Sequence, residues 1–231
     1  MSKELEKCER YKCLQYLASK ITNELVVSWV TWCEWPIEEE KPFNIPCSML
    51  GCTVPMGIGL AKSLPERKII ALTSDGDVLM ELGCLPSLAK ENPENLLVIV
   101  NDNEMYQIAG KRPTMTESKA DLSAMARGAG VEYAKTVRNL NDFKKEVDEG
   151  FEKEDCARFI VVKTKGEPFK SIYETSNWWR EKHRFINHVE ETEGVSILPS
   201  SEQDKRYLVF RGSTGPGVPG VHRYMDDQTN N

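Results

Sequence analysis

The stretch TSDGDVLMELGCLPSLAKENPENLLVIVNDNEMY, residues 73–106, decides the fold. It completes the apolar run KIIALTS, continues through the helix-length segment VLMELGCLPSLAKE, and ends a second apolar run, NLLVIVN. Both runs are apolar on both faces, as strands covered by helices on both sides must be. The unit is β-α-β. In a right-handed unit of this kind the two strands run the same way, so their carboxyl ends lie side by side on one rim of the sheet. Ser74-Asp75-Gly76-Asp77 follows the first strand and Asn101-Asp102-Asn103 ends the second. Residues nearly 30 apart are thereby expected to converge where open α/β sheets bind their ligands.

Outward from this unit the same alternation continues. ELVVSWV precedes it as a strand, and EYAKTV and RFIVVKT follow as strands, separated by the helical segments DLSAMARGAG and NDFKKEVDEGFEK. Leu5, Cys8, Leu14, Leu17, Ala18 and Ile21 recur at helical spacing and predict a first amphipathic helix over residues 5–21. Residues 31–46, with Trp32, Trp35, Pro36, Pro42 and Pro46 and an acidic run, predict an irregular loop. MLGCTVPMGIGLAKSL is rich in small residues that permit close backbone approach. Five strands alternating with helices predict an α/β fold, a doubly wound, mostly parallel sheet with helices on both faces. That domain spans residues 1–165. An arm with a short helix near 185–193 follows over 166–204, and a flexible Gly/Pro-rich tail over 205–231.

The composition limits the function. The chain has 231 residues, 40% hydrophobic and 29% charged, enough for a sizeable core. A net charge of -6 provides no field for gathering phosphates, which argues against nucleic acid. The charged opening MSKELEKCERYK lacks a signal-peptide core, and no run reaches the ~18 apolar residues of a membrane span, so a cytoplasmic protein is expected. Seven cysteines with no C-x-x-C pair predict reduced thiols. The histidines His183, His188 and His222 lie in the arm without ligand partners at metal spacing, and read as structural or surface residues.

A carboxylate and an amide oxygen meeting at the rim are hard ligands suited to magnesium, which takes few protein ligands and completes its shell with water and phosphate oxygens. Gly76, before a helix expected to start near Val78, would add backbone N–H donors for the same phosphates. The same residues also make ordinary caps and turns.

The pair SDGD and NDN resembles the G-D-G...N-N signature of thiamine diphosphate enzymes, and SMLGCTVPMGIGLAKSLPERKIIALTSDGD resembles the segment leading into it. The likeness runs over residues 46–116, more loosely over 25–199, and covers the diphosphate-binding (PP) domain of that family. DNEMYQIAG brings it nearest to the C-terminal half, or separate β subunit, of sulfopyruvate and phosphonopyruvate decarboxylases.

The resemblance implies thiamine diphosphate and Mg2+ as cofactors. Asp75, Asn103 and the main-chain oxygen of Met105 would hold the metal, with Asp102 as the alternative side chain. Gly76 and Asp77 would donate backbone N–H groups to the diphosphate. Leu50, beside Gly51, would prop the cofactor into its bent shape, and the Ser48 carbonyl would accept from its amino group. Tyr106 and Gln107 would line the pocket or pack beside it. Two departures stand out: Ser74 replaces a glycine, and Asp77 places a carboxylate where many relatives carry Ser or Ala, beside an anionic diphosphate.

The implied activity is that of a carboxy-lyase on a small 2-oxoacid. The catalytic Glu would come from a separate pyrimidine-binding (PYR) subunit in a homo- or hetero-oligomer, and no catalytic acid or base is assigned to this chain. Asp77 also occurs in β subunits of 2-oxoacid:ferredoxin oxidoreductases, the second reading, although the cysteines lack the usual cluster spacing. A non-catalytic cofactor-binding subunit is the third.

Overall fold

The computed structural model describes residues 6–29, 43–47, 49–166 and 178–197. The chain divides into two units, Met1–Phe185 and Ile186–Asn231. In the first, β1 (Leu25–Trp29), β2 (Asn44–Cys47), β3 (Ile69–Ser74), β4 (Leu96–Asp102), β7 (Tyr133–Val137) and β8 (Arg158–Lys163) form one six-stranded sheet in the order β2-β1-β3-β4-β8-β7. Every pairing in it is parallel. The doubly wound sheet read from the sequence is therefore present, with one strand more than expected.

The added strand is β2. The sequence predicts an irregular loop as far as Pro46, but residues 44–47 pair with β1 at the edge of the sheet, Pro46 lying opposite Ser28. An edge strand accepts a proline because one side of its backbone has no ladder to complete. Residues 31–42 of the expected loop lie outside the described residues.

The helices α1 (Arg10–Lys20), α2 (Thr53–Ser63), α3 (Asp75–Met80), α4 (Cys84–Glu91), α5 (Leu122–Gly128) and α6 (Leu140–Glu152) cover the sheet. On one face Leu14 and Leu17 of α1 and Phe143 and Val147 of α6 close over Val26, Ile70, Leu72, Leu97, Ile99, Ile160 and Val162. On the other face α2 packs on β1, β3 and β4, with α4 beside it and α5 beside α4. Burying each large apolar side chain contributes about 1.5–3 kcal/mol. The strand residues of β3, β4 and β8 are buried without exception, which is why their runs show no polar alternation.

Two elements differ from the pattern in the sequence. Cys8 is not on the first helix: its N–H donates to the Lys163 carbonyl at 2.8 Å and its carbonyl accepts from Lys165 N–H at 3.0 Å. The chain thus runs extended beside the end of β8 and turns helical at Arg10. The single helix expected between β3 and β4 is two, broken at Glu81-Leu82-Gly83.

A two-stranded ribbon, β5 (Met105–Tyr106) against β6 (Arg112–Pro113), and a 3₁₀ turn at Met115–Glu117 fill the connection after β4. Of the expected arm and tail, the described part is α7 (Trp178–Glu193) and the residues after it to 197, so the helix begins seven residues before the predicted one. The Trp178 and Trp179 side chains, His222 and the tail lie outside the described residues. Among the described residues no helix is long and apolar enough to cross a membrane.

Candidate functional site

β3 and β4 pair with Ser74 beside Asn101, so Asp75 and the Asp102-Asn103 group leave the sheet at the same rim. Their convergence follows from parallel pairing alone. Ser74 caps α3, its hydroxyl accepting from the Asp77 N–H at 3.2 Å, so the helix starts at Asp75 and not near Val78. Both Asp75 and Asp77 then sit in the first helical turn, where the positive end of the backbone dipole favours carboxylates.

Asp75 is 1% exposed. Its Oδ2 accepts from Thr114 Oγ1 at 2.6 Å and lies 3.3 Å from Thr116 Oγ1, whereas its Oδ1 is buried with no hydrogen-bond partner. Leaving a buried acceptor unmet costs about 1–3 kcal/mol, more for a charged group. An orphaned, buried carboxylate oxygen at a sheet rim has the chemistry of an open cation-ligand position. Burial, with the charge of Asp102 added, pushes the Asp75 carboxyl up to about 7, against hydrogen bonds from Thr114, the Gly76 N–H and Thr116.

That shift fixes a sign. The native chain keeps a proton on Asp75 that the unfolded chain, near 3.8, has already lost, so this group's contribution to stability is present at low pH and declines as pH rises through about 7. A divalent cation held there would reverse the preference and expel the proton. Titrating Mg2+ alone at pH 6 in buffers of different ionisation enthalpy should therefore show proton release, and at pH 8.5 almost none.

Asn103 is buried beside it. Its Oδ1 accepts from the Met105 N–H at 3.1 Å and its Nδ2 donates to Gln107 Oε1 at 2.8 Å. Glu104, between them, has φ of 63°, a left-handed turn that returns the chain into β5. Asp102, equally buried, is different: Oδ2 pairs with Lys163 Nζ at 2.8 Å, and Oδ1 accepts from Thr116 Oγ1 at 2.7 Å and from the Glu104 N–H at 3.2 Å. Both of its oxygens are engaged by protein donors, while Asp75 keeps one open. Burial raises the Glu104 carboxyl, but Lys7 and Lys163 outweigh it and hold the group below its usual range.

The Asp77 carboxylate makes its own contacts within the protein. Oδ1 accepts from the Gly51 N–H at 2.6 Å and Oδ2 from Thr73 Oγ1 at 2.5 Å. Its N–H, expected to serve the diphosphate, bonds to Ser74. Gly51 has φ of 80°, and a Cβ there would stand 2.7 Å from Glu81 Cβ, so the turn from Met49 to Gly51 is fixed against the break between α3 and α4. Asp77 is thus the tie of the turn that presents Leu50, which is 50% exposed. Asp77→Ala leaves the buried Gly51 N–H unmet and removes the Thr73 contact, and should cost about 1–3 kcal/mol in urea unfolding, with Asp77→Asn recovering part of it. A change within 0.5 kcal/mol, about the range of a neutral surface substitution, would show that the tie is slack.

Tyr106 lies across Gly76: a Cβ on Gly76 would meet the Tyr106 ring at 2.8 Å. Of the residues named from the sequence, Asp75, Gly76 and Asp77 therefore share one rim with Asn103, Met105 and Tyr106, and Gly51 is tied to them through Asp77. Ser48 lies outside the described residues. His183 and His188 sit on α7. Sequence reasoning missed Thr114, Thr116 and Lys163, which carry the hydrogen bonds and ion pair around Asp75 and Asp102, and Lys7, which pairs with Glu104. Among the described residues no three His, Cys, Asp or Glu side chains converge on a metal position. One open carboxylate oxygen and a neighbouring amide fit a cation that draws its other ligands from main chain, water and phosphate.

Known proteins share the fold that forms this rim. The family described as thiamine pyrophosphate enzyme, C-terminal TPP binding domain, matches residues 36–162. The sulfopyruvate decarboxylase subunit beta of Methanocaldococcus jannaschii is 33% identical over 127 residues, 55% of this chain and 65% of that one. The phosphonopyruvate decarboxylase of Streptomyces viridochromogenes is 32% identical over 93 residues, 40% of this chain and 23% of that one. Among solved structures, benzoylformate decarboxylase from Polynucleobacter necessarius superposes with a TM-score of 0.57 at 18% identity, over 68% of this chain and 33% of that one. The 4-hydroxybenzoylformate decarboxylase of Rhodococcus jostii gives 0.59 at 17%, over 71% and 34%. The chain therefore spans about two thirds of the curated β subunit and about a third of these structural neighbours.

Proposed function

Since the chain belongs to the thiamine pyrophosphate enzyme family, whose C-terminal TPP-binding domain it carries, we propose that it is the diphosphate-binding subunit of a carboxy-lyase acting on a small 2-oxoacid of the sulfopyruvate or phosphonopyruvate type. The observation that carries the reading is the buried, unmatched Oδ1 of Asp75, held at the rim it shares with Asn103. Asp75, Asn103 and the Met105 carbonyl would hold Mg2+, which would offset the charge of the diphosphate. Gly76 would let the phosphates approach the backbone at the start of α3, with Tyr106 covering it. Leu50, on the turn tied by Asp77, would support the cofactor's bend.

When bound, thiamine diphosphate supplies the nucleophilic carbon and the electron sink for loss of carbon dioxide. This chain's task is to hold the charged end of the cofactor and screen it with a divalent cation. The proton chemistry falls to a glutamate of a separate pyrimidine-binding subunit, a division that the β-subunit names of the relatives support.

Calorimetric titration with thiamine diphosphate tests the reading. Uptake is expected with magnesium present and not with EDTA, and aldehyde should form from sulfopyruvate or phosphonopyruvate once the pyrimidine-binding subunit is added. A folded chain that takes up the cofactor under neither condition would overturn it.

A further inference from the structure

We propose that Thr116 is a positioning residue, a single hydroxyl shared between the two buried rim carboxylates that commits Asp102 to the protein and leaves one oxygen of Asp75 for the cation. This rests on the metal-diphosphate reading above and adds the device that assigns the two acids their different roles.

Two aspartates from neighbouring strands reach this rim, each 1% exposed, and by residue type either could ligate a divalent ion. The hydroxyl protons separate them. Three short contacts link the group: Thr114 to Asp75 Oδ2 at 2.6 Å, Thr114 to Thr116 at 2.8 Å, and Thr116 to Asp102 Oδ1 at 2.7 Å. Two hydroxyls bring only two protons to these three contacts. At Asp102 the Thr116 proton makes the short contact to Oδ1, which the Glu104 N–H reaches only at 3.2 Å, while Lys163 holds Oδ2, so both oxygens are committed to the protein. Of the two hydroxyls, Asp75 receives the Thr114 proton at short range, with Thr116 3.3 Å away, and both lie on the same oxygen. The result is a carboxylate pinned through Oδ2 and unsatisfied at Oδ1.

Thr116 is itself fixed. It is 5% exposed, and its carbonyl accepts from Lys163 Nζ at 3.2 Å, so the lysine that neutralises Asp102 also holds the backbone carrying the shared hydroxyl. Thr114 is anchored through its N–H to the Glu104 carbonyl at 3.1 Å. Both hydroxyls are thereby placed by the ribbon that leaves the Asn103 turn. Asn103, Met105 and the two threonines come from one continuous stretch of chain, which meets Asp75 from the neighbouring strand.

The test is binding of Mn2+ to the full chain in the presence of thiamine diphosphate, read from the electron paramagnetic resonance of free manganese. Thr116→Val keeps the shape without the hydroxyl, and Thr116→Ser restores the hydroxyl. Losing a group that orients a metal ligand weakens affinity by about 10–100-fold. Thr116→Val should weaken Mn2+ by at least about tenfold, and Thr116→Ser should return most of the loss. Thr116→Ala, a second deletion of the hydroxyl, should match Val. Urea unfolding of the metal-free proteins checks that each variant is folded. Val binding as tightly as the parent, or Ser as weakly as Val, overturns the assignment. No Mn2+ uptake by the parent chain overturns the cofactor reading, and this assignment with it.

Discussion

Asp75→Asn is expected to leave the chain unable to take up thiamine diphosphate with magnesium, yet to make the metal-free protein harder to unfold at pH 8. The two effects have one cause. The carboxylate is buried, unmatched at Oδ1 and close to a second acid, so its charge destabilises the native state until a cation arrives. An amide of the same shape still accepts from Thr114 but carries no charge. The gain should be about 1–3 kcal/mol at pH 8, because relief of the buried charge exceeds the cost of an amide still unmet there, and should shrink toward pH 5, where the native carboxyl is already protonated. The loss of cofactor affinity should exceed about a hundredfold, the upper end of what removing a merely supporting partner costs. Urea unfolding in EDTA and calorimetry with magnesium measure the two sides. Parent-like affinity in the variant would remove Asp75 from the metal.

Lys163→Met gives the largest expected loss of stability. Lys163 is 6% exposed and reaches Asp102 at 2.8 Å and Glu104 at 3.0 Å. Removing one member of a buried ion pair costs about 3–5 kcal/mol, because the remaining charge is uncompensated. Asp102 has the most to lose, since Glu104 retains Lys7. Adding Asp102→Asn should therefore recover a large part of the loss, and the double-mutant cycle isolates the coupling. A single-variant cost under about 1 kcal/mol, the ceiling for an exposed pair, would show that water reaches this lysine.

The alternation of apolar runs with helical segments made most of the sheet legible. Burial on both faces leaves a strong mark in KIIALTS and NLLVIVN, and parallel pairing places Asp75 near Asn103 without further information. β2 escaped notice because Asn44-Ile45-Pro46-Cys47 is short, contains proline and pairs on one side only. The start of α3 was misplaced because Ser74, at the end of a strand, also serves as the helix cap. Asp77 illustrates a different limit: its sequence position beside the Asp75-Gly76 pair suggests a clash with phosphate, but the structure directs its carboxylate to Gly51 and Thr73.

The supporting groups were hidden for a more general reason. Thr116 meets Asp75 from 41 residues away, and Lys163 meets Glu104 from 59. No local spacing announces such partners. The run KRPTMT is visible, but only the folded ribbon shows that its threonines face two acids.

Leu50 is not alone in its exposure. Met49 is 65% and Met80 59% exposed, and they flank the place where Gly51 abuts Glu81. A thioether open to solvent is readily converted to sulfoxide, whereas a covered one is protected. Met49 and Met80 therefore give the rim a built-in chemical footprint. Under brief peroxide treatment, mass spectrometry of these two methionines should report, without any label, whether that patch is open or occupied.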